Sequence, residues 1–217
     1  LLQKKIIAMA NARSKPVITA TQMLETMIES PVPTRAEATD VANAIIDGTD
    51  AVMLSAESSV GKFPLESVKV MENIALETEK YLGLYQRNFE YIAKQGGDMY
   101  TNSLTRSAVN MCDDLNINTI VATTYGGYTA RALSRFRKNV NIIACSPREE
   151  TYNRMALVWG VTPVIISKFV DTDSMLDNVS ILVRNLGVAE KGDHIIVTAG
   201  IPYGFSGKTN LLKVHEI

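Results

Sequence analysis

Thr39-Asp40-Val41-Ala42-Asn43-Ala44-Ile45-Ile46-Asp47-Gly48 is followed, after Thr49, by Asp50-Ala51-Val52-Met53-Leu54-Ser55. The first run opens on a residue type that caps helix starts and closes on a glycine suited to a left-handed C′ position, so it predicts a helix. The second run is apolar and β-favouring almost without a break, as a strand buried on both faces of a parallel sheet must be. The same order extends outward. A helical pattern (Leu2, Ile6, Ile7, Ala10) precedes the β-rich Pro16-Val17-Ile18-Thr19-Ala20. Downstream, Pro64-Leu65-Glu66 opens a helix with Val68, Met71, Ile74, Ala75 and Leu82 expected on its buried stripe, Pro64 fitting the first turn. Alternating strands and helices of this kind mean an α/β architecture with parallel pairing. Two strands cannot bury both faces of a sheet by themselves. Residues 1–83 are therefore expected to be a piece of an open sheet or a (β/α) barrel. The opening Leu1-Leu2-Gln3-Lys4-Lys5 has neither an initiator Met nor a signal-peptide pattern and reads as the middle of a longer chain.

Around residues 83–100 the chain turns polar and flexible, and the domain boundary is expected there, giving units 1–83 and 84–217. The second unit reads as a complete α/β domain with a mostly parallel sheet. Helices are expected at 105–115, 129–138, 149–159 and 171–186, the last ended by Gly187. Strands are expected at 119–123, 140–145, 161–167, 194–199 and 211–215.

Composition narrows the function classes. The 217 residues are 46% hydrophobic and 21% charged, with a formal net charge of -1. That composition excludes disorder throughout and a fibrous repeat, and no strong field draws the chain to nucleic acid or anionic lipid. Cys112 and Cys145 sit in apolar surroundings without a CxxC partner and read as reduced, buried thiols of a cytoplasmic protein. No apolar run approaches the roughly 18 residues of a spanning helix. His194 and His215 form no recognisable metal motif.

The candidate sites lie where strands end. Thr123-Thr124-Tyr125-Gly126-Gly127-Tyr128-Thr129-Ala130-Arg131 leaves a strand, turns through two glycines and enters a helix. One reading is an anion pocket of backbone N–H groups with the Thr124 and Thr129 hydroxyls as extra donors. The other is a tight turn with Thr129 as helix cap. A second glycine-rich segment, Ala199 to Asn210, leaves another strand end, and in an open parallel sheet such loops converge on one crevice. Its Gly207-Lys208-Thr209 is not a P-loop, because Pro202 stands at the required glycine position and a strand follows. In the first unit the strand ends carry Thr21-Gln22 and Ser55-Ala56-Glu57, which face an active site in a barrel or simply cap the next segments. Arg131, Arg135, Arg137 and Lys138 read as a solvated basic face, with Arg131 in reach of the anion pocket, and Trp159 as a core residue.

Three blocks resemble the pyruvate kinase family: Lys15 to Glu25 (KPVITATQMLE), Pro33 to Glu37 (PTRAE) and Asp40 to Ser55. The resemblance extends over essentially the whole chain. It implies the last two βα units of a (β/α)8 catalytic barrel followed by the C-terminal regulatory domain. The family, a glycolytic and typically tetrameric one, transfers a phosphoryl group from phosphoenolpyruvate to ADP, giving pyruvate and ATP, with Mg²⁺ and usually K⁺. By resemblance Thr21 contacts substrate and helps relay the proton to enolpyruvate, while Ser55 lies near the same pocket. The catalytic lysine, the metal ligands and the lid belong to parts of the family pattern outside this sequence, so these residues alone are expected to be inactive. Arg35 and Glu37 match a segment near an interface between catalytic domains.

The resemblance also assigns an effector phosphate site to Thr124, Tyr125, Gly126, Gly127, Tyr128 and Thr129, with Ser206, Gly207 and Lys208 on the second loop. Many members carry a Lys, a Ser and a basic or small residue where Tyr125, Gly126 and Tyr128 stand here. The effector is therefore open between a phosphorylated sugar and a nucleotide. The alternative to an enzyme part is a stand-alone module binding one of those ligands.

Overall fold

In the computed structural model, which describes residues 2–85, 98–169, 171–202 and 209–217, the predicted alternation starts with α1 (Leu2–Ala12) and β1 (Ile18–Thr19). A 3₁₀ turn (Glu25–Ile28), α2 (Arg35–Ile46), β2 (Ala51–Val52) and α3 (Ala56–Ser59) follow. Then come α4 (Pro64–Glu79) and a second 3₁₀ turn (Leu82–Tyr85). The chain divides into two compact units, Leu1–Ile92 and Ala93–Ile217. In the first, β1 and β2 pair in parallel, Ile18 opposite Ala51 and Thr19 opposite Val52. The strands are far shorter than the sequence runs that predicted them. Among the described residues they pair only with each other, and Ile18 is 48% exposed.

Local chemistry explains where the helices start. α2 begins four residues before the expected Thr39, because Thr34 is its cap. The Glu37 N–H donates to Thr34 Oγ1 at 3.3 Å while Glu37 Oε2 accepts from the Thr34 N–H at 2.7 Å, a reciprocal capping box. Thr39 lies inside the helix and donates its hydroxyl to the Arg35 carbonyl. The expected glycine end is present: Gly48 has φ +92°. Its N–H donates to Ile45 O at 2.9 Å and the Thr49 N–H to Ala44 O at 3.1 Å, closing the last turn. α4 starts at Pro64 as expected, but its buried line is Ser67, Met71 and Thr78, with Val70 and Ile74 half-buried. Val68 is 52% exposed, since one residue beyond Ser67 is about 100° around the helix from that line.

The second unit holds α5 (Met99–Leu115), β3 (Thr119–Thr123), α6 (Tyr128–Ser134) and β4 (Asn141–Ser146). It continues with α7 (Glu149–Met155), β5 (Val161–Ile165), α8 (Thr172–Asn185), β6 (His194–Ala199) and β7 (Leu211–Glu216). α5 starts six residues earlier than its apolar pattern suggested, because Asp98 caps it through the Thr101 N–H at 2.7 Å. The sheet order is β5-β4-β3-β6-β7, parallel except for β7 against β6. Alternation along the strands separates two cores. Ile120, Ala122, Ile142, Ala144 and Ile196 meet residues of α5, α6 and α7, including Cys112, Leu133 and Met155. Val121, Ile143, Cys145, Ile195 and Val197 meet Met175, Leu176, Val179 and Val183 of α8.

Glu37 makes this local structure pH-sensitive. Burial pulls its carboxyl upward, but hydrogen bonds from Thr26 and Thr34 outweigh that and leave it below the ordinary glutamate value. A carboxylate lowered in the folded state contributes stability above its unfolded pKa, and the contribution is lost as pH falls through the folded value. Thr34→Ala is expected to cost about 1 kcal/mol by loss of the cap. Glu37→Gln lowers the urea midpoint at neutral pH, and the gap to the parent chain closes in acid.

Candidate functional site

Sheet order decides where a site can form in the second unit. Chain direction across the sheet reverses between β3 and β6, so the loops after those two strands flank a crevice at the sheet's C-terminal edge. These are the two glycine-rich segments singled out above. They meet through Thr129 and Thr209, whose hydroxyl oxygens lie 2.8 Å apart, both residues buried. Asn210 secures the neck of the second loop: its Oδ1 accepts from the Ile201 N–H at 2.7 Å and its Nδ2 donates to the Ile201 carbonyl at 2.6 Å. Ser206, Gly207 and Lys208 lie outside the described residues.

The first loop is braced from several sides. Gly127, φ +78°, is the residue that caps α6, and Thr129 lies inside the helix, so Thr129 is not the cap. The Tyr125 carbonyl accepts from Thr151 Oγ1 at 2.9 Å. The Tyr128 hydroxyl accepts from the Asp98 N–H at 3.2 Å. Thr124 is buried and its N–H donates to Cys145 O at 2.9 Å, extending the ladder beyond β3.

The basic segment is not a solvated face. Arg135 and Arg137 are each 2% exposed. Arg135 donates to Asn102 Oδ1. Arg137 donates to Ser134 Oγ at 2.8 Å and lies 5.3 Å from the ring centre of the half-buried Trp159. Lys138 pairs with Asp113 at 2.6 Å. The pattern misled because guanidinium stems pack as apolar groups while their heads find carbonyls and amides. Arg131 does reach the turn, donating to Gly126 O at 3.1 Å. Burial lowers its pKa and the charge of Arg154 lowers it further, yet an arginine stays protonated. Arg148 stacks 5.1 Å from the Tyr125 ring centre. Glu150 is shared between Arg148 and Arg154 at 2.5 and 2.7 Å. The rim of the turn is therefore rich in cations. Neither Arg148 nor Arg154 was picked out from sequence; the position of Arg148 just after β4 was the available signal.

In the first unit Thr21 and Ser55 are both exposed and follow the C-terminal ends of the paired β1 and β2. Ser55 occupies the N-cap position of α3, but its side chain makes no capping bond. Burial pushes the thiols of Cys112 and Cys145 up to about 12, so both are unreactive as expected. Among the described residues no group of three His, Cys, Asp or Glu side chains is arranged to hold a metal ion, and no helix is long and apolar enough to cross a membrane.

These features define a class: a parallel pair of βα units with Thr21 and Ser55 beyond its strand ends, and an open, mostly parallel α/β sheet with arginines beside the turn that follows β3. The profile for the pyruvate kinase barrel domain matches residues 1–68, and that for the pyruvate kinase alpha/beta domain matches residues 102–215. The chain belongs to the pyruvate kinase family. It is 44% identical over its whole length to pyruvate kinases of Lactobacillus delbrueckii subsp. bulgaricus and Staphylococcus aureus (strain USA300), spanning 37% of each. A crystal structure of a Cryptosporidium parvum pyruvate kinase superposes with a TM-score of 0.86 at 35% identity, covering 99% of this chain and 42% of that one.

Gly127 provides a direct test of the turn. A Cβ there would stand 2.5 Å from the Met155 methyl and 3.0 Å from Arg131 Nη1, at a left-handed φ. The Met155 tip can swing aside, so backbone strain dominates. Gly127→Ala should cost about 1–2 kcal/mol in urea unfolding, whereas Gly83→Ala, with nothing within 4 Å, should be neutral.

Proposed function

We propose that this chain forms part of a pyruvate kinase that transfers a phosphoryl group from phosphoenolpyruvate to ADP in glycolysis, with residues 1–83 contributing two βα units to the catalytic barrel and residues 84–217 forming the regulatory domain. One observation carries the reading: in a member of this family, β1 and β2 pair in parallel, so Thr21 and Ser55 follow strand ends on the same side. In a barrel that is the side on which active sites are built. Phosphoryl transfer through a loose transition state depends on positioning and cationic stabilisation. Thr21 would hold a substrate oxygen and pass a proton toward the enolpyruvate carbon, with Ser55 beside it. The family implies Mg²⁺ and K⁺; among the described residues no group of three His, Cys, Asp or Glu side chains is arranged to hold a metal ion. The bare strand edges and exposed Ile18 and Met53 support completion of the sheet by further barrel strands. The parent is proposed to be cytoplasmic and homotetrameric, as family members typically are.

The second unit is proposed to bind the phosphate of a phosphorylated sugar or nucleotide between Thr124–Thr129 and Ser206–Lys208. The left-handed Gly127, the Arg131 and Arg154 charges and the Thr129–Thr209 contact support this reading.

Three measurements test the proposal. In the full-length parent, Thr21→Val is expected to lower kcat by about 100-fold or more, the scale of lost acid–base assistance; the 217-residue chain alone should form no ATP in a coupled assay. By calorimetry, Lys208→Ala should weaken effector binding by more than the ~1 kcal/mol of an exposed ion pair, and unchanged affinity would remove Lys208 from the site.

A further inference from the structure

Glu57 is 3% exposed, and no other acidic residue among the described ones is as deeply buried. It sits in α3, a helix of only four residues immediately after Ser55. Its two carboxylate oxygens serve two different loops. Oε1 accepts from the Leu24 N–H at 3.1 Å, in the segment that follows β1 and carries Thr21. Oε2 accepts from the Ser55 N–H at 2.8 Å, in the segment that follows β2. Leu24 is fully buried, so its N–H has no solvent to fall back on. From behind, the chain closes onto the same residue. A Cβ at Gly61 would stand 2.5 Å from the Glu57 carbonyl oxygen, and the Gly61 N–H donates to Ala56 O at 2.8 Å.

We propose that Glu57 is a positioning residue that fixes the spacing of Thr21 and Ser55 across the two strand ends. The inference rests on the kinase reading only for what Thr21 and Ser55 do. The bridge itself is a property of this chain. Chemistry explains why a glutamate stands here. An ionised carboxylate is acceptor-only on both oxygens and therefore satisfies two N–H donors at once. Glutamine would turn an NH₂ toward one of them. Aspartate, one methylene shorter, would reach one loop and abandon the other.

The first arm of the test uses the ¹⁵N-labelled 217-residue chain. Glu57→Gln should raise amide exchange at Leu24, Ser55 or both by about tenfold or more, the scale of a lost charge-assisted hydrogen bond. It should shift the Thr21 amide resonance while Ile7 and Val41 keep their protection. Gly61→Ala, which keeps the carboxylate but forces its backbone to move, should shift the same Leu24 and Ser55 resonances, and it serves if Glu57→Gln does not fold. Unmoved Leu24 and Ser55 amides in a folded variant, or an equal loss of protection throughout the first unit, would overturn the proposal. The second arm uses the full-length parent. There Glu57→Gln is expected to lower kcat by about 10- to 100-fold, the scale of an ångström of misplacement, with KM for phosphoenolpyruvate within about threefold. Unchanged kcat with local amide loss would also overturn it. An unmutated parent without kinase activity would refute the kinase reading, leaving the amide arm to decide the bridge.

Discussion

A parallel strand pair must carry the chain back to its starting edge before the second strand begins, so whatever follows each strand collects at one end of the sheet. Both units obey this constraint. In the first it brings the segments after β1 and β2 to one side, and in the second it brings together the loops after β3, β4 and β6. Among the described residues the candidate groups lie at those ends: Thr21, Ser55 and Glu57 in one unit, the Gly126-Gly127 turn, Arg148 and Asn210 in the other. Antiparallel β7 is the exception that closes the sheet, and its return from β6 draws Thr209 against Thr129.

Strand ends and helix ends alike leave backbone donors and acceptors in crowded, partly dry places, and each needs a partner. The molecule meets this need with side chains rather than extra secondary structure. Asn11 donates to the Gly48 carbonyl at 2.8 Å beside the end of α2, Thr151 to the Tyr125 carbonyl, and Arg131 to the Gly126 carbonyl. Arg137 turns back on its own helix end, with φ +48° and its guanidinium on the Ser134 carbonyl. These bonds explain how so many polar groups tolerate burial. A hydrogen-bonded guanidinium loses far less on leaving water than a bare one.

How far the sequence could be read follows from the same physics. The runs 119–123 and 194–199 coincide with β3 and β6 because strands buried on both faces have an unbroken apolar centre, here Ile120-Val121-Ala122 and Ile195-Ile196-Val197, which shows as composition. Helix starts were harder. Apolar periodicity marks only the packed turns, so α2 and α5 appeared to begin at Thr39 and Thr105, while Thr34 and Asp98 had already capped them. β1 and β2 shrank to two residues each because a strand is defined by its neighbours, and among the described residues each has one. For the candidate sites, loop convergence was legible from glycine-rich segments that leave strands of an expected parallel sheet, whereas the strand order came only with the structure. The bracing was not legible: Glu57 reaches back 33 residues to the Leu24 N–H and Arg148 lies over the Tyr125 ring, which no local spacing encodes.

Glu57 and Asn210 solve related problems with different head groups, and the difference is instructive. Asn210 serves a single residue that offers both a donor and an acceptor, the N–H and C=O of Ile201, and the amide supplies one of each. Glu57 serves two residues that both offer donors, Leu24 and Ser55, and the carboxylate supplies two acceptors. Exchanging the head groups would fail in mirror-image ways. An aspartate at 210 would set lone pair against lone pair at the Ile201 carbonyl, and a glutamine at 57 would set N–H against N–H. A buried mismatch of that kind costs more than the bond it replaces, since the stranded group cannot recover its water. The identity of each residue is thus set by the backbone groups it must reach, and through them by the parallel topology that gathered those groups together.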